Sequence, residues 1–122
     1  MDFYAAVRSA LSKYATFNGR ASRSEFWFFY LFLVLVDGVA SIIDAFIINN
    51  PNSPLTAITA LVFLIPLIAV ATRRLHDIDR SGWWQLLVFV PIVGAIVLII
   101  WLCTAGSPES NRFGNNPLSG RV

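Results

Sequence analysis

The sequence predicts an all-α membrane protein with an N-terminal amphipathic helix, three transmembrane helices joined by short loops, and an irregular C-terminal tail. Three observations lead there. The 122 residues are 57% hydrophobic and only 13% charged, well away from the balance of a soluble domain. Three apolar runs are long enough to match a hydrocarbon core about 30 Å thick. The Lys and Arg residues fall unevenly on the segments between those runs, as they do in proteins whose orientation they set.

Residues 1–17 place Phe3, Val7, Ala10, Leu11 and Tyr14 at helical spacing, with Arg8, Ser9, Ser12 and Lys13 on the other face. Such a helix either lies in the membrane interface or packs on the protein's own helix ends. Asn18-Gly19 then makes a turn, and Ser22-Arg23-Ser24-Glu25 fits a capping box opening the first span, residues 26–48. That span is roughly 34 Å long as a helix. It is too long for the core of a cleaved signal peptide, carries two aspartates and is followed by no A-x-A site. NNPNSP, residues 49–54, turns the chain back into a second span of residues 55–72, roughly 27 Å long. The third span, residues 83–103, is roughly 31 Å.

Pro66 and Pro91 interrupt spans two and three at similar distances from the intervening loop. Each removes a helix hydrogen bond that something else must replace. The paired kinks either line a cavity or mark irregular packing. Residues 104–122, rich in Gly, Pro, Asn and Ser, read as turns or disorder outside the membrane. The whole chain, 1–122, reads as one multi-pass domain without internal repeat.

Counting Lys and Arg on alternate sides gives seven against two. The positive-inside rule therefore places the N-terminus and the loop RRLHDIDRSGWW in the cytoplasm, and the tail outside. A net charge of +2, with the basic residues set beside apolar runs, argues against nucleic acid as a partner. Cys103 stands alone within an apolar run, where a buried, inert thiol is expected. His76 is the only histidine and has no accessible cysteine to help it, so neither a metal site nor another cofactor is expected. An enzymatic centre is not expected either, because Ser81, a hydroxyl near His76 in sequence, suits an N-cap ahead of span three.

Two groups of residues remain as candidate sites. Arg20, Arg23, Glu25, Arg73, Arg74, His76, Asp77 and Arg80 lie on two segments that orientation brings to one face. Glu25 and Asp77 are expected to bind arginines of the opposite segment, chiefly Arg73 or Arg74 and Arg20, because charge beside lipid calls for a partner. The bland alternative is that the arginines only fix topology. Trp83 and Trp84 would anchor the loop at the headgroups, and spare arginine donors could hold a lipid phosphate. The second group is a stripe on span one, Asp37, Ser41 and Asp44, at i, i+4 and i+7. A mid-helix Asp costs about 2.5–3.5 kcal/mol on insertion, and such residues are functional candidates. For Asp44, near the outer end, hydrogen bonding to Thr56 or Thr59 is the plainer role.

The segments FNGRASRSEFWFF, RRLHDIDRSGWWQLL with PIVG after it, and NRFGNNP in the tail resemble a family of small bacterial inner-membrane proteins known as domain of unknown function 805. The resemblance covers most of the chain. Members commonly carry Gly where this chain has Asp79. It implies a multi-pass plasma-membrane protein and supplies no established activity, cofactor or catalytic residue. The expected function is a binding or scaffold component whose cytoplasmic cluster engages anionic lipid or a membrane partner. The alternative is a homo-oligomer conducting protons or a small solute past the Asp37 stripe.

Overall fold

The computed structural model describes residues 2–118. The order of elements is α1 (Phe3–Ser12), α2 (Arg23–Ile43) continued by a π-helical turn (Asp44–Ile48), α3 (Pro54–Asp77), a 3₁₀ segment (Gly82–Phe89) and α4 (Val93–Cys103). Among the described residues there is no β-strand, only an isolated bridge between Asn111 and Gly114.

α1 starts where the Asp2 carboxylate accepts from the Ala5 N–H at 2.7 Å, a side-chain cap on an otherwise unpaired donor. Of its two possible placements, the structure shows contact with the protein itself. Ala6 and Ala10 are fully buried, and the Phe3 ring meets Phe28 and Phe32 of α2 at 6.1 and 6.4 Å.

α2 begins with half of the expected capping box. Ser22 Oγ accepts from the Glu25 N–H at 3.3 Å, while the Glu25 side chain turns away to Arg73. With its π turn, α2 runs for 26 residues, and α3 for 24; both are long and apolar enough to cross a membrane. Their antiparallel packing buries Phe26, Phe29 and Val70 with Ala10 and Ala21, and Phe32 meets Phe63 edge-on. Leu31, Val34, Leu35, Val39, Ile58 and Leu61 face outward, an apolar surface suited to lipid.

Pro66 sits inside α3 and is fully buried. It cannot donate to the Val62 carbonyl one turn earlier, and the Tyr14 hydroxyl donates there instead. At the other end of α3, Asp79 takes a positive φ of 61°. The Arg80 N–H bonds the Leu75 carbonyl at 2.9 Å and the Asp79 N–H the His76 carbonyl at 3.0 Å, which is a Schellman cap with Asp79 in the left-handed position. That position suits Gly, and Asp tolerates it better than most residues.

The third expected span is not one helix. Residues 82–89 form a 3₁₀ segment, and α4 is 11 residues long, so each arm reaches only about 16 Å. Pro91 is the physical reason for the break. It is followed by Ile92 at φ 66°, ψ −64° and a Val93 N–H to Pro91 carbonyl bond of 2.7 Å, a γ-turn of the rare positive-φ kind. The two arms then pack so closely that a Cβ on Gly94 would lie 1.6 Å from the Leu87 carbonyl oxygen. Pro66 and Pro91 thus act differently, one within a continuous helix and the other at a hairpin turn.

The hairpin also corrects the position of the tail. The hairpin leaves α3 at Ser81 and returns to it, since the Leu102 carbonyl accepts from Arg74 Nε at 3.0 Å and from Trp27 Nε1 at 3.3 Å. Residues 104–116 therefore lie at the same end of the molecule as the 73–84 loop. The tail and that loop thus share one end of the molecule and do not lie at opposite ends. Cys103, expected to be buried, is exposed at the end of α4, because an 11-residue arm ends at the surface.

Candidate functional site

At the loop end, Arg20, Arg73, Arg74, His76, Asp77 and Glu25 are all buried. The turn after α1 supplies Arg20, the first turn of α2 supplies Glu25, and the last turn of α3 supplies the rest. Buried charges are costly unless paired and hydrogen-bonded, and here the pairing is dense.

Asp77 lies between two guanidinium groups. Its Oδ1 is 2.9 Å from Arg20 Nη2, and its Oδ2 is 2.7 Å from Arg74 Nη1. Arg20 also donates to the carbonyls of Glu109, Gly114, Ser107 and Asp77 at 2.6–3.3 Å, so all its N–H groups are used. Arg74 donates to the carbonyls of Leu102, Ala21 and Thr104. Planar arginine forks suit such a multi-acceptor role, which a lysine could not fill.

The second pair is Arg73 with Glu25, Nη1 to Oε2 at 2.5 Å. Arg73 Nε donates to the Thr16 carbonyl at 3.2 Å. Its Nη2 is buried and has no partner among the described residues, so this pair is less completely satisfied than the Asp77 centre.

His76 is tied to both termini. Its Nδ1 lies 2.9 Å from the Gly19 carbonyl, and since a carbonyl only accepts, Nδ1 carries the proton. Its ring stacks on Phe113 at 3.8 Å with an interplanar angle of 1°, and its own carbonyl accepts from Asn111 Nδ2 at 2.9 Å. Two candidates stand outside the buried group. Arg23 is exposed and donates to the Cys103 carbonyl, and Arg80 lies over the Trp101 ring at 4.1 Å. Trp83 is exposed, and Trp84 meets Trp101 edge-on at 5.5 Å.

The stripe on α2 divides. Asp44 is buried, and its carboxylate accepts from the N–H groups of Leu55 and Thr56 and from the Thr56 hydroxyl at 2.7–3.0 Å. It caps α3 from across the turn, where Ser53 supplies no side-chain cap of its own. Asp37 and Ser41 are exposed. Asp37 lines a hollow of about 260 Å³ between α2 and α3 with Thr59 and has no hydrogen bond or ion pair among the described residues.

Sequence reasoning missed the contribution of the tail. Ser107 donates its N–H to the Asp77 carbonyl at 2.7 Å, and Gly106 passes so close that a Cβ there would lie 2.0 Å from Asp77 Oδ2. Arg112 bonds Asp79 at 3.2 Å on the surface. The signal for this was the NRFGNNP segment, whose Asn and Gly residues make the turn that offers the Gly114 carbonyl to Arg20. Among the described residues no cluster of His, Cys, Asp and Glu could hold a metal ion.

These features define a class: a small helical multi-pass membrane protein whose arginines clamp both of its terminal segments at one end. A family model described as "Protein of unknown function (DUF805)" matches residues 14–115, and the chain belongs to that family. It is 43% identical to inner membrane protein YhaI of Escherichia coli K12 over 98% of both chains. It is 39% identical to inner membrane protein YhaH of the same strain over 96% of this chain and 97% of the relative. No solved structure matches it. With relatives of that kind and two helices fit to span, the chain is a multi-pass protein of the bacterial inner membrane.

Proposed function

We propose that this protein is a non-enzymatic binding component of the inner membrane, with its N-terminal segment, 73–84 loop and tail all cytoplasmic. There it presents arginines to anionic lipid headgroups. The observation that carries this reading is the gathering of Arg20, Arg23, Arg73, Arg74, Arg80 and Arg112 at one end. Placing residues 104–116 beside the loop brings Arg112 to the same end as the other arginines, which makes the positive-inside bias stronger.

The arginines divide the labour. Arg20 and Arg74 spend their donors on Asp77 and on carbonyls of their own chain, so they hold the fold. Arg23, Arg80 and Arg112 keep accessible donors for phosphate, each worth about 1 kcal/mol near an anionic surface. Trp83 seats the loop at the headgroup level.

A periplasm-active reporter fused after Val122 is expected to be silent, as is one near Asp79; activity from the Val122 fusion overturns the topology. For the lipid, purified protein is expected to retain anionic phospholipid in a salt-sensitive way. Reversing Arg23, Arg80 and Arg112 to Glu should lower that retention several-fold. Unchanged retention sinks the headgroup role. A transport reading is favoured by one observation, the unpartnered Asp37 in its hollow beside Thr59, and ion flux in liposomes would support it.

A further inference from the structure

Two cavities meet behind the hairpin. The first, about 430 Å³, lies at the loop end and is lined by Phe17, Thr72, His76, Ser81 and Gln85 with Trp83. The second, about 540 Å³, is apolar and lies between the hairpin, α2 and α3, with Tyr30, Leu67, Ala71, Leu86 and Leu102 among its walls. Ile68, Gly82, Trp83 and Gln85 belong to both, so the chambers adjoin. Each falls in the range of about 300–1,000 Å³ typical of small-molecule sites.

We propose that the two chambers form one site for a membrane phospholipid with a primary-ammonium head group, the head in the first chamber and an acyl chain in the second. The inference goes beyond the anionic-headgroup reading above and uses a different surface. The polar chamber is lined by no arginine, lysine or carboxylate, which disfavours a bare anion as its occupant. What it offers is acceptors. His76 is 8% exposed; with Nδ1–H committed to Gly19, the neutral ring keeps Nε2 as an acceptor with no partner among the described residues. Gln85 spends its amide N–H groups on Thr72 Oγ1 at 2.6 Å and the Gly82 carbonyl at 3.1 Å, which leaves Oε1 to accept.

Ser81 Oγ already accepts from the Trp83 N–H at 3.3 Å, so its hydroxyl proton is available to the lipid phosphate. The Phe17 and Trp83 rings complete the wall, and aromatic faces attract an ammonium cation. An ammonium with three N–H donors matches two acceptors and two rings. A quaternary ammonium matches only the rings. The apolar chamber beside it takes the chain that any such head group carries in a bilayer.

The test uses the full-length protein purified in mild detergent, with lipid retention read by native mass spectrometry. Phosphatidylethanolamine, phosphatidylcholine and phosphatidylglycerol of identical acyl chains are added in turn. The expected result is one ethanolamine lipid per chain, insensitive to salt. It should be favoured about three- to tenfold or more over the choline lipid, the difference one or more hydrogen bonds would make. Ala71→Phe and Leu86→Trp, which fill the apolar chamber from opposite walls, and Gln85→Leu in the polar one should each reduce retention by a similar factor. Two fillers are used because one of them could fail to fold. Equal retention of ethanolamine and choline lipids overturns the proposal, as does full retention in a folded filled-chamber variant. Glycerol lipid retained alone, lost in salt and with the Arg23, Arg80 and Arg112 reversals, would overturn the cavity while supporting the surface reading. No retained lipid of any class would overturn both.

Discussion

Asp77 and Asp37 are both carboxylates on apolar helices, and the structure treats them oppositely. Asp77 is 4% exposed and held by two arginines, with Gly106 of the tail pressed against it. The Asp37 carboxylate is exposed on α2, in a hollow toward α3, with no partner among the described residues. Where charge is penalised, folding retains it only by pairing it. Asp77 is therefore explained by the fold alone, and Asp37 is not. An intramembrane carboxylate without a structural task is the better functional candidate, and the two ends of this contrast can be separated by substitution.

The largest effect is expected at Asp77. Asp77→Ala leaves the Arg20 and Arg74 guanidinium groups buried without their counter-charge, a defect that typically costs about 3–5 kcal/mol. Thermal unfolding in detergent should show a severe loss. Limited proteolysis should also cut the tail first, because Arg20 no longer has a fixed orientation from which to hold residues 107–114. A stable variant with a protected tail would make Asp77 dispensable and dissolve the contrast.

Next comes the Glu25–Arg73 pair, where the unpartnered Arg73 Nη2 points to a smaller contribution. Each single reversal, Glu25→Arg or Arg73→Glu, should lower the unfolding temperature, and the double reversal should recover part of the loss. No recovery would mean that the two act through separate neighbours. Arg73→Lys is expected to be closer to the reversals than to wild type, since Nε and Nη1 serve two different acceptors.

Much of this was legible in the sequence, for physical reasons that also mark where reading stops. Apolar run length identified α2 and α3, because a bilayer dictates both composition and span. Charge of both signs on two segments beside the membrane pointed to Glu25 with Arg73 and to Asp77 with Arg20, because unpaired charge there is expensive. The third run looked like a span because its composition is that of one; only the turn at Pro91 and Ile92 decides that it doubles back, and hydropathy does not register a backbone angle. The tail read as turns or disorder, with no contact to the loop foreseen, for a related reason. Its hold on the arginines is made through the carbonyls of Thr104, Ser107, Glu109 and Gly114, which every sequence has.

Smaller effects are expected at two groups that satisfy backbone ends. Asp44→Ala removes the cap of α3 and should cost about 0.5–2 kcal/mol, while Asp44→Asn, whose single oxygen replaces only one of the two accepting carboxylate oxygens, should recover part of it. Tyr14→Phe strands the Val62 carbonyl that Pro66 cannot serve and should cost about 0.5–1.5 kcal/mol, the net worth of one hydrogen bond. Both are read by detergent melting. If Tyr14→Phe is silent but Pro66→Ala stabilises, the carbonyl has another donor and α1 is held by its apolar contacts alone.

The smallest effect, and the one on which the contrast turns, belongs to Asp37. Because its carboxylate touches no donor in the protein, Asp37→Asn should change stability by less than about 0.5 kcal/mol, as ordinary surface substitutions do. Asp37→Leu should be tolerated or favourable, since a mid-helix Asp costs about 2.5–3.5 kcal/mol on insertion where a Leu contributes favourably. The same change to Leu at Asp77 should be severely destabilising, so one substitution type carries opposite signs at the two sites. Melting curves of the three variants in one detergent decide this. If Asp37→Leu destabilises as Asp77→Leu does, then Asp37 has a partner beyond this single chain, and a crosslinking ladder should reveal a second copy. If stability is untouched while an ion flux measured in liposomes is lost, the open carboxylate belongs to transport and the clamped one to folding.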